Sequence, residues 1–177
     1  MEASHEAVRE ADARENPLDL EAIFEAQYRH IVRAIVLVIR DPGRAEELAV
    51  DVFLKWSRHR AAHGPNARGW LYRTAARVAL DELRRQARRN KYDPEFSLPE
   101  TPGPDAALAA GWEREKVRAV LAAIPTRSAE MLFLHGQGLD YQELAATLDL
   151  QSGSVGTLLR RAKQAFRKEY IKRYGEQ

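Results

Sequence analysis

The sequence predicts an all-α fold of two small helical domains joined by a Pro-rich linker. Apolar residues recur at steps of three and four, and no stretch of strand length alternates apolar with polar residues. Residues 90–107, NKYDPEFSLPETPGPDAA, contain four prolines and one glycine without any period, which is typical of an extended tether. We therefore expect a disordered acidic N-terminus over 1–17, a first domain over 18–90, a linker over 91–107 and a second domain over 108–177.

Three helices are expected in the first domain. Asn16 is a capping residue followed by Pro at the first helical position, and Asp41–Pro42 repeats that signal before the second helix. The third helix, Ala67–Arg89, follows a loop at Gly64 and can be capped by Asn66. The predicted inner faces are Leu20, Phe24, Tyr28, Ile31, Ile35 and Val38 in the first helix, and Ala45, Leu48, Ala49, Val52, Phe53 and Trp56 in the second.

Four helices are expected in the second domain. Asp105 starts the first and Pro125 ends it, Thr126–His135 forms the second, Asp140 caps the third and Ser152 caps the fourth. The predicted apolar contacts are Leu108, Trp112, Val117, Val120, Leu121 and Ile124 in the first helix, Tyr141, Leu144, Ala145 and Leu148 in the third, and Val155, Leu158, Leu159, Ala162 and Phe166 in the fourth. The last two helices, joined by a short turn, have a helix-turn-helix signature.

Composition narrows the class of protein. The net charge of +2 divides into −3 over residues 1–17, +5 over 18–90, −3 over 91–110 and +3 over 111–177, so two basic blocks could each face a polyanion. No run of about 18 apolar residues occurs, so no membrane insertion is expected. The acidic start lacks the order of a signal peptide, and the absence of cysteine fits a reducing cytoplasm.

The third helix changes character along its length. It opens with Trp70 and Tyr72 and closes on a run of arginines that includes Arg84 and Arg88. Aromatic faces followed by guanidinium groups suit an unstacked nucleic-acid strand beside a phosphate backbone. The same pattern also fits a bundle helix with a core tryptophan and a solvated basic end. From these residues alone we expect Leu71 in the core, and for Trp70 both interpretations stay open.

Three segments in order resemble the extracytoplasmic-function (ECF) sigma factors, the small two-domain class of bacterial transcription initiation factors. The helix AEELAVDVFLKW over 45–56 resembles the acidic region-two helix that grips the clamp helices of RNA polymerase. The segment GWLYRTAARVALDELRR over 69–85 is similar to the segment that melts and recognises the minus-ten element. The segment from YQELA to GSVGTLLRRAK, over 141–163, is similar to the region-four helix-turn-helix that recognises the minus-thirty-five element.

The resemblance implies partners and site residues. It implies binding to core RNA polymerase, at its clamp helices and flap, and to promoter DNA, with an anti-sigma factor as a further partner. The implied polymerase-binding residues are Glu46, Glu47 and Asp51. The implied minus-ten residues are His63, Asn66, Arg68, Trp70, Arg77, Arg84, Arg85 and Arg88, and the implied minus-thirty-five residues are Ser154, Gly156, Thr157, Arg160, Arg161 and Lys163. The acidic linker residues Asp93, Glu95, Glu100 and Asp105 could mimic nascent RNA.

Four residues depart from the family pattern. Gln is usual where Val50 stands and Asn where Val78 stands, which puts one polymerase contact and one strand contact in doubt. Basic residues are common at the positions of Gly156 and Leu158, so we expect fewer charged side chains to reach the upstream element. The opened strand could then depend on Trp70 and the loop before it.

No enzymatic constellation or cofactor motif is expected. His59 and His63 have a spacing that could hold a metal ion, but no carboxylate or thiol pattern completes such a site. Two other functions stay open from the sequence. One is an autonomous helix-turn-helix regulator that binds duplex DNA without polymerase, and the other is a helical protein-interaction module.

Overall fold

The computed structural model describes residues 17–92 and 106–175, with side chains over 20–90 and 110–175. The regular elements in this part of the chain are all helices and none is a strand, so the all-α prediction is confirmed. The helices are α1 (Pro17–Ile39), α2 (Pro42–Arg58), α3 (Ala67–Tyr92), α4 (Ala106–Ala123), α5 (Thr126–Gly136), α6 (Tyr141–Leu148) and α7 (Ser152–Tyr174), with a short 3-10 turn at Arg60–Ala62. The expected disordered start and most of the linker, at 1–16 and 93–105, lie outside the described residues.

Helices α1, α2 and α3 pack together as a first body. The cap at Asp41 is confirmed, because its side chain accepts a hydrogen bond from the Arg44 N–H and Pro42 follows it in the first turn. All six residues predicted for the inner face of α2 are buried, so the 3.6-residue period located this face correctly. On α1 the prediction is correct from Ile31 onward, whereas Leu20 and Phe24 stay 38% and 39% exposed. The Phe24 ring meets Tyr28 and Phe53, which cover only part of it.

Helices α4 to α7 form a second body around buried side chains of α5, α6 and α7. Asp140 caps α6 as predicted, in a capping box with Glu143. The predicted cap at Ser152 is wrong: Gln151 has the extended backbone of the cap, its carbonyl accepts from the Ser154 N–H, and Ser152 is already helical. Tyr141, the first residue of α6, was predicted as an apolar contact but stays 52% exposed.

The two bodies pack against each other through α3. This helix contacts α1 and α2 on one side and α4, α5 and α6 on the other. It runs to Tyr92, past the predicted boundary at residue 90, while α4 begins at Ala106, inside the predicted linker. The spacing of the apolar residues predicted the helices but not how they pack against one another. The structure shows that α3 is the helix that both bodies share. Within the described ranges, no helix is long and apolar enough to cross a membrane.

Candidate nucleic-acid interface

The acidic residues of α2 lie on its exposed side. Glu46, Glu47 and Asp51 are all exposed, opposite the buried row that ends at Trp56. Glu47 accepts a 2.6 Å hydrogen bond from Arg44, which raises the pKa of Arg44 above its usual value, with a smaller contribution from the charge of Glu82. These carboxylates leave α2 with an accessible, negatively charged face that can meet a basic partner helix.

Two apolar side chains share that exposed face. Val50 is 43% exposed and Leu54 is 47% exposed, and with Glu46 they follow one another at four-residue steps. Exposed apolar side chains in a row beside charged ones mark a contact surface more often than isolated ones do. Val50 and Leu54 therefore add exposed apolar area to the acidic face of α2. Leu54 was not predicted as a contact residue. It could have been found, because it is an apolar residue that lies outside the buried row of α2, whose members recur at steps of three and four.

The loop between α2 and α3 is held by Trp56. The Trp56 indole N–H donates a 3.1 Å hydrogen bond to the Ala62 carbonyl, and this bond is buried. His63 Nε2, in the tautomer that bears its proton there, donates to the Trp56 carbonyl at 2.9 Å, and the two rings lie 4.6 Å apart. Of the loop residues predicted to choose a base, His63 and Asn66 are both exposed, and His63 is held in place by its hydrogen bond to Trp56.

Trp70 stands at the edge of the first body. It is half-buried, whereas its neighbour Leu71 is completely buried, which confirms the prediction for Leu71. The Trp70 ring stacks on His59 with centroids 5.6 Å apart and planes 21° apart. An exposed imidazole on a half-buried indole gives a two-ring platform of the kind on which an unpaired base can stack. Val78 packs against the core, so the position that is usually polar in the family is apolar and partly covered here.

Several predicted minus-ten arginines on α3 are bonded to the second body. Arg68 donates to Glu143 at 2.7 Å and Arg77 donates to Glu130 at 3.2 Å. Arg84 donates to the carbonyls at the end of α4, those of Ala122 and Ile124, at 3.3 Å each. The sequence predicted phosphate contacts for Arg77 and Arg84 and a role in base choice for Arg68, and in the structure all three donate to protein oxygens.

The C-terminal part of α3 forms an arginine-lined cleft around one buried carboxylate. Glu82 is 4% exposed and accepts from Arg44 of α2 at 3.4 Å, Arg85 at 2.9 Å and Arg89 at 3.0 Å. The cleft is lined by Asp41, Arg44, Glu82, Arg85, Gln86, Arg88 and Arg89. Arg85 and Arg88 were predicted here, whereas Arg44 and Arg89 were missed. Arg44 was missed because it lies on another helix, 38 residues from Glu82.

The helix-turn-helix of the second body presents the start of α7. Asp149 ends α6 in the left-handed conformation at φ 56°, and α7 begins three residues later. Thr157 and Arg160 are exposed near that start, and Ser154 is half-buried. A Cβ added at Gly156 would lie 3.6 Å from the ring of Tyr141, so this position packs inside the motif. Arg161 and Lys163 are exposed further along the helix.

Two family models match the two bodies in order. Sigma-70 region 2 matches residues 23–89, and Sigma-70, region 4 matches residues 114–166, so together they cover most of the chain. The ECF RNA polymerase sigma factor SigE of Mycolicibacterium smegmatis is 28% identical over 158 residues, 84% of this chain. The chain belongs to the sigma-70 family, in its ECF class. In this sigma factor the first body is region 2 and the second body contains region 4.

Other sigma factors agree with this assignment. The probable RNA polymerase sigma factor RfaY of Xanthomonas campestris pv. campestris is 30% identical over 156 residues, and the RNA polymerase sigma-H factor of Pseudomonas aeruginosa is 28% identical over 161 residues, 81% of its length. The chain spans 39% of the length of RfaY and 61% of the length of SigE. The structure of the sigma factor RpoE with the anti-sigma factor NepR, from Bartonella quintana, has the same fold, with a TM-score of 0.52 and 16% identity over 85% of this chain and 96% of that one.

Sequence reasoning missed the residues of region 4 that bond to α3. Glu130 could have been found, because it interrupts an apolar run between Ala129 and Met131 and is buried with them. Glu143 was not singled out by the sequence, and in the structure it both completes the capping box of α6 and accepts from Arg68. Among the described residues no group of three potential metal ligands occurs. His59 and His63 are instead occupied by ring contacts with two tryptophans.

Proposed function

We propose that this sigma factor binds core RNA polymerase, recognises a bipartite promoter and helps to open it. The exposed acidic and apolar face of α2, at Glu46, Glu47, Val50, Asp51 and Leu54, would contact the polymerase clamp helices. The helix-turn-helix would contact the upstream element, and the remainder of region 4 the polymerase flap. The observation that carries this proposal is the order of an exposed acidic helix, an aromatic-to-arginine helix and a helix-turn-helix in one sigma-70 chain.

The DNA contacts divide by chemistry. The platform of His59 and Trp70, with Asn66 beside it, would hold an unpaired base, and stacking of one base on an aromatic side chain contributes about 1–3 kcal/mol. Arg85 and Arg88 in the arginine-lined cleft would meet phosphates, which makes binding fall steeply with salt. Further along the chain, the half-buried Ser154 and four exposed residues of α7 are proposed for the upstream element: Thr157, Arg160, Arg161 and Lys163, with Gly156 shaping their helix.

The polymerase would perform the chemistry, and this chain would act as a non-enzymatic initiation factor in the cytoplasm. An anti-sigma factor is a proposed regulatory partner, since the structural relative RpoE was determined with one. The Val50 and Leu54 strip gives the polymerase contact an apolar component, so it should be less sensitive to salt than a purely ionic one.

Run-off transcription with core polymerase tests the proposal. We expect a promoter-dependent transcript, and we expect Glu46→Arg with Asp51→Arg to weaken core binding about tenfold or more, because like charges then face the partner. A matched control is Glu21→Arg with Glu25→Arg, an equal charge change on exposed α1 positions. Arg85→Ala with Arg88→Ala should reduce promoter opening and leave core binding intact. Tight duplex binding without any binding to core would instead favour an autonomous regulator.

A further inference from the structure

We infer that Arg44 of α2 is a DNA phosphate contact and that the buried Glu82 is the positioning residue for the guanidinium groups of the arginine-lined cleft. The inference deepens the proposed function and rests on it for promoter DNA as the ligand. That function assigns Arg85 and Arg88 to phosphates and gives Arg44 and Glu82 no part in DNA binding.

The arginines of the cleft come from two helices and converge on one carboxylate. Arg44 reaches Glu82 from α2, whereas Arg85 and Arg89 reach it from one and two turns further along α3. Oε2 of Glu82 accepts from Arg44 and Arg85, and Oε1 accepts from Arg89. A single carboxylate therefore holds three guanidinium groups at defined positions along the cleft.

The carboxylate cannot neutralise the cations that it holds. Three guanidinium groups carry three positive charges, and Glu82 carries one negative charge. The exposed Arg88 and the carboxylate of Asp41 also line the cleft, so its lining has four cations and two carboxylates, a net charge of +2. A surplus of positive charge in an accessible cleft attracts a polyanion such as the DNA backbone.

The guanidinium groups remain accessible to a ligand, whereas the carboxylate does not. An arginine has five N–H donors in a fixed fork, and each bond to Glu82 uses one nitrogen of the fork. The three arginine side chains are between 37% and 70% exposed, and Glu82 is 4% exposed. Glu82 can therefore act on a bound phosphate only through the arginines that it orients.

Arg44 has a second partner that a phosphate can displace. Glu47 accepts from Arg44 at 2.6 Å, but the Glu47 side chain is exposed, so water and salt screen the pair. The bond to Glu82 is the part-buried one of the two. A phosphate oxygen makes the same charge-assisted hydrogen bond as the exposed carboxylate, so it can replace Glu47 while Glu82 keeps Arg44 in place.

The size of the cleft suits a segment of backbone rather than a single ion. Its volume is about 940 Å³, near the upper end of the range for ligand sites. Long arginine side chains lose conformational entropy when a ligand orders them. Because Glu82 already orders three of them in the folded protein, a phosphate that enters the cleft meets donors that are set in advance.

The salt dependence of DNA binding tests the role of Arg44. The full chain is titrated against a fluorescein-labelled duplex oligonucleotide by anisotropy at a series of salt concentrations. Each phosphate contact contributes about 0.9 to the slope of log Kobs against log salt. Arg44→Ala should lower the slope by about that amount and raise Kd about three- to tenfold at low salt, equally on two duplexes of unrelated sequence. Arg29→Ala removes an exposed cation of α1 and should leave the slope unchanged.

Glu82→Gln tests the positioning role by the sign of its effect. If charge alone governed binding, loss of a carboxylate would make the duplex bind more tightly. Positioning predicts the opposite: Kd rises about three- to tenfold and the salt slope becomes shallower, because the arginines lose the acceptor that orients them. Glu21→Gln makes the same charge change on an exposed position of α1 and should bind at least as tightly as wild type.

A purely structural role for Glu82 gives a different result. With titrations run well below the unfolding temperature of the variant, a protein that is only less stable has fewer active molecules and an unchanged salt slope. That result, or tighter duplex binding, would overturn the positioning role of Glu82.

The outcomes also separate the inference from the proposed function. An unchanged slope in Arg44→Ala, or no duplex binding by the wild-type chain at low salt, would overturn the phosphate contact, and run-off transcription would still test the function. A wild-type chain that gives no transcript with core polymerase would overturn the function. The duplex titration would still decide whether Arg44 and Glu82 form a phosphate site.

Discussion

Substitution of Glu82 is the sharpest test of how region 2 is held together. The carboxylate is buried, its side chain is 5% exposed, and it accepts from three guanidinium groups that join α2 to the end of α3. Glu82→Gln keeps the shape but removes the charge and turns an amide N–H₂ towards an arginine. Removal of one member of a fully buried ion pair costs about 3–5 kcal/mol, and hydrogen bonds to charged groups contribute about 1.5–3 kcal/mol.

Solvent reduces that cost here. The Arg44, Arg85 and Arg89 side chains are 37%, 54% and 70% exposed, so water can hydrate them when the carboxylate is lost. We therefore expect a loss of about 2 kcal/mol in the free energy of unfolding. For a chain of this size that loss lowers Tm by roughly 4–8 °C, as measured by calorimetry or circular dichroism.

Glu47→Gln is the matched control for this experiment. Glu47 pairs with the same Arg44, at 2.6 Å, but its side chain is 66% exposed. An exposed pair contributes about 0–1 kcal/mol, so Tm should fall by no more than a few degrees. Equal shifts for the two variants would show that burial of Glu82 does not determine its contribution, and the reasoning would be refuted.

Three further predictions concern other parts of the chain. Trp56→Phe leaves the Ala62 carbonyl without its buried donor, so stability should fall by about 1–3 kcal/mol, with faster amide hydrogen exchange in the loop before α3; unchanged exchange would contradict this role. Asp140→Ala removes the capping box of α6 and should cost about 1 kcal/mol in thermal unfolding, and no loss would argue against the cap. The hydrogen bond from Arg173 lowers the pKa of Glu169, so its stabilising contribution is present at neutral pH and is lost as pH falls through the lowered pKa. In an NMR titration Arg173→Ala should raise that pKa, and an unchanged midpoint would exclude Arg173 as the cause.

The parts of the fold that depend on local pattern were predictable. The buried face of α2 was identified from the spacing of its apolar residues, and the caps at Asp41 and Asp140 from residue type and position alone. Helix ends were predicted less well. Ser152 was predicted as the N-cap of α7, but Gln151 occupies that position. Such ends depend on a few dihedral angles that neighbouring turns also influence.

The arrangement of the two bodies could not be predicted from pattern. Arg77 and Glu130 are 53 residues apart, and Arg68 and Glu143 are 75 residues apart. The sequences of α3, α5 and α6 do not show that these helices pair. An exposed basic row has the same sequence pattern whether it faces phosphate, water or a carboxylate. The resemblance to ECF sigma factors supplied candidate roles for these arginines. The structure shows in addition that carboxylate oxygens of region 4 accept hydrogen bonds from them.

Co-migration with core RNA polymerase of the host bacterium tests the central claim most directly. The full chain and core are mixed at low salt and separated by size-exclusion chromatography. The proposal predicts a stoichiometric complex that is lost in the Glu46→Arg, Asp51→Arg variant and retained in the Glu21→Arg, Glu25→Arg variant. Failure of the wild-type chain to bind core, or equal binding by both variants, would contradict the account.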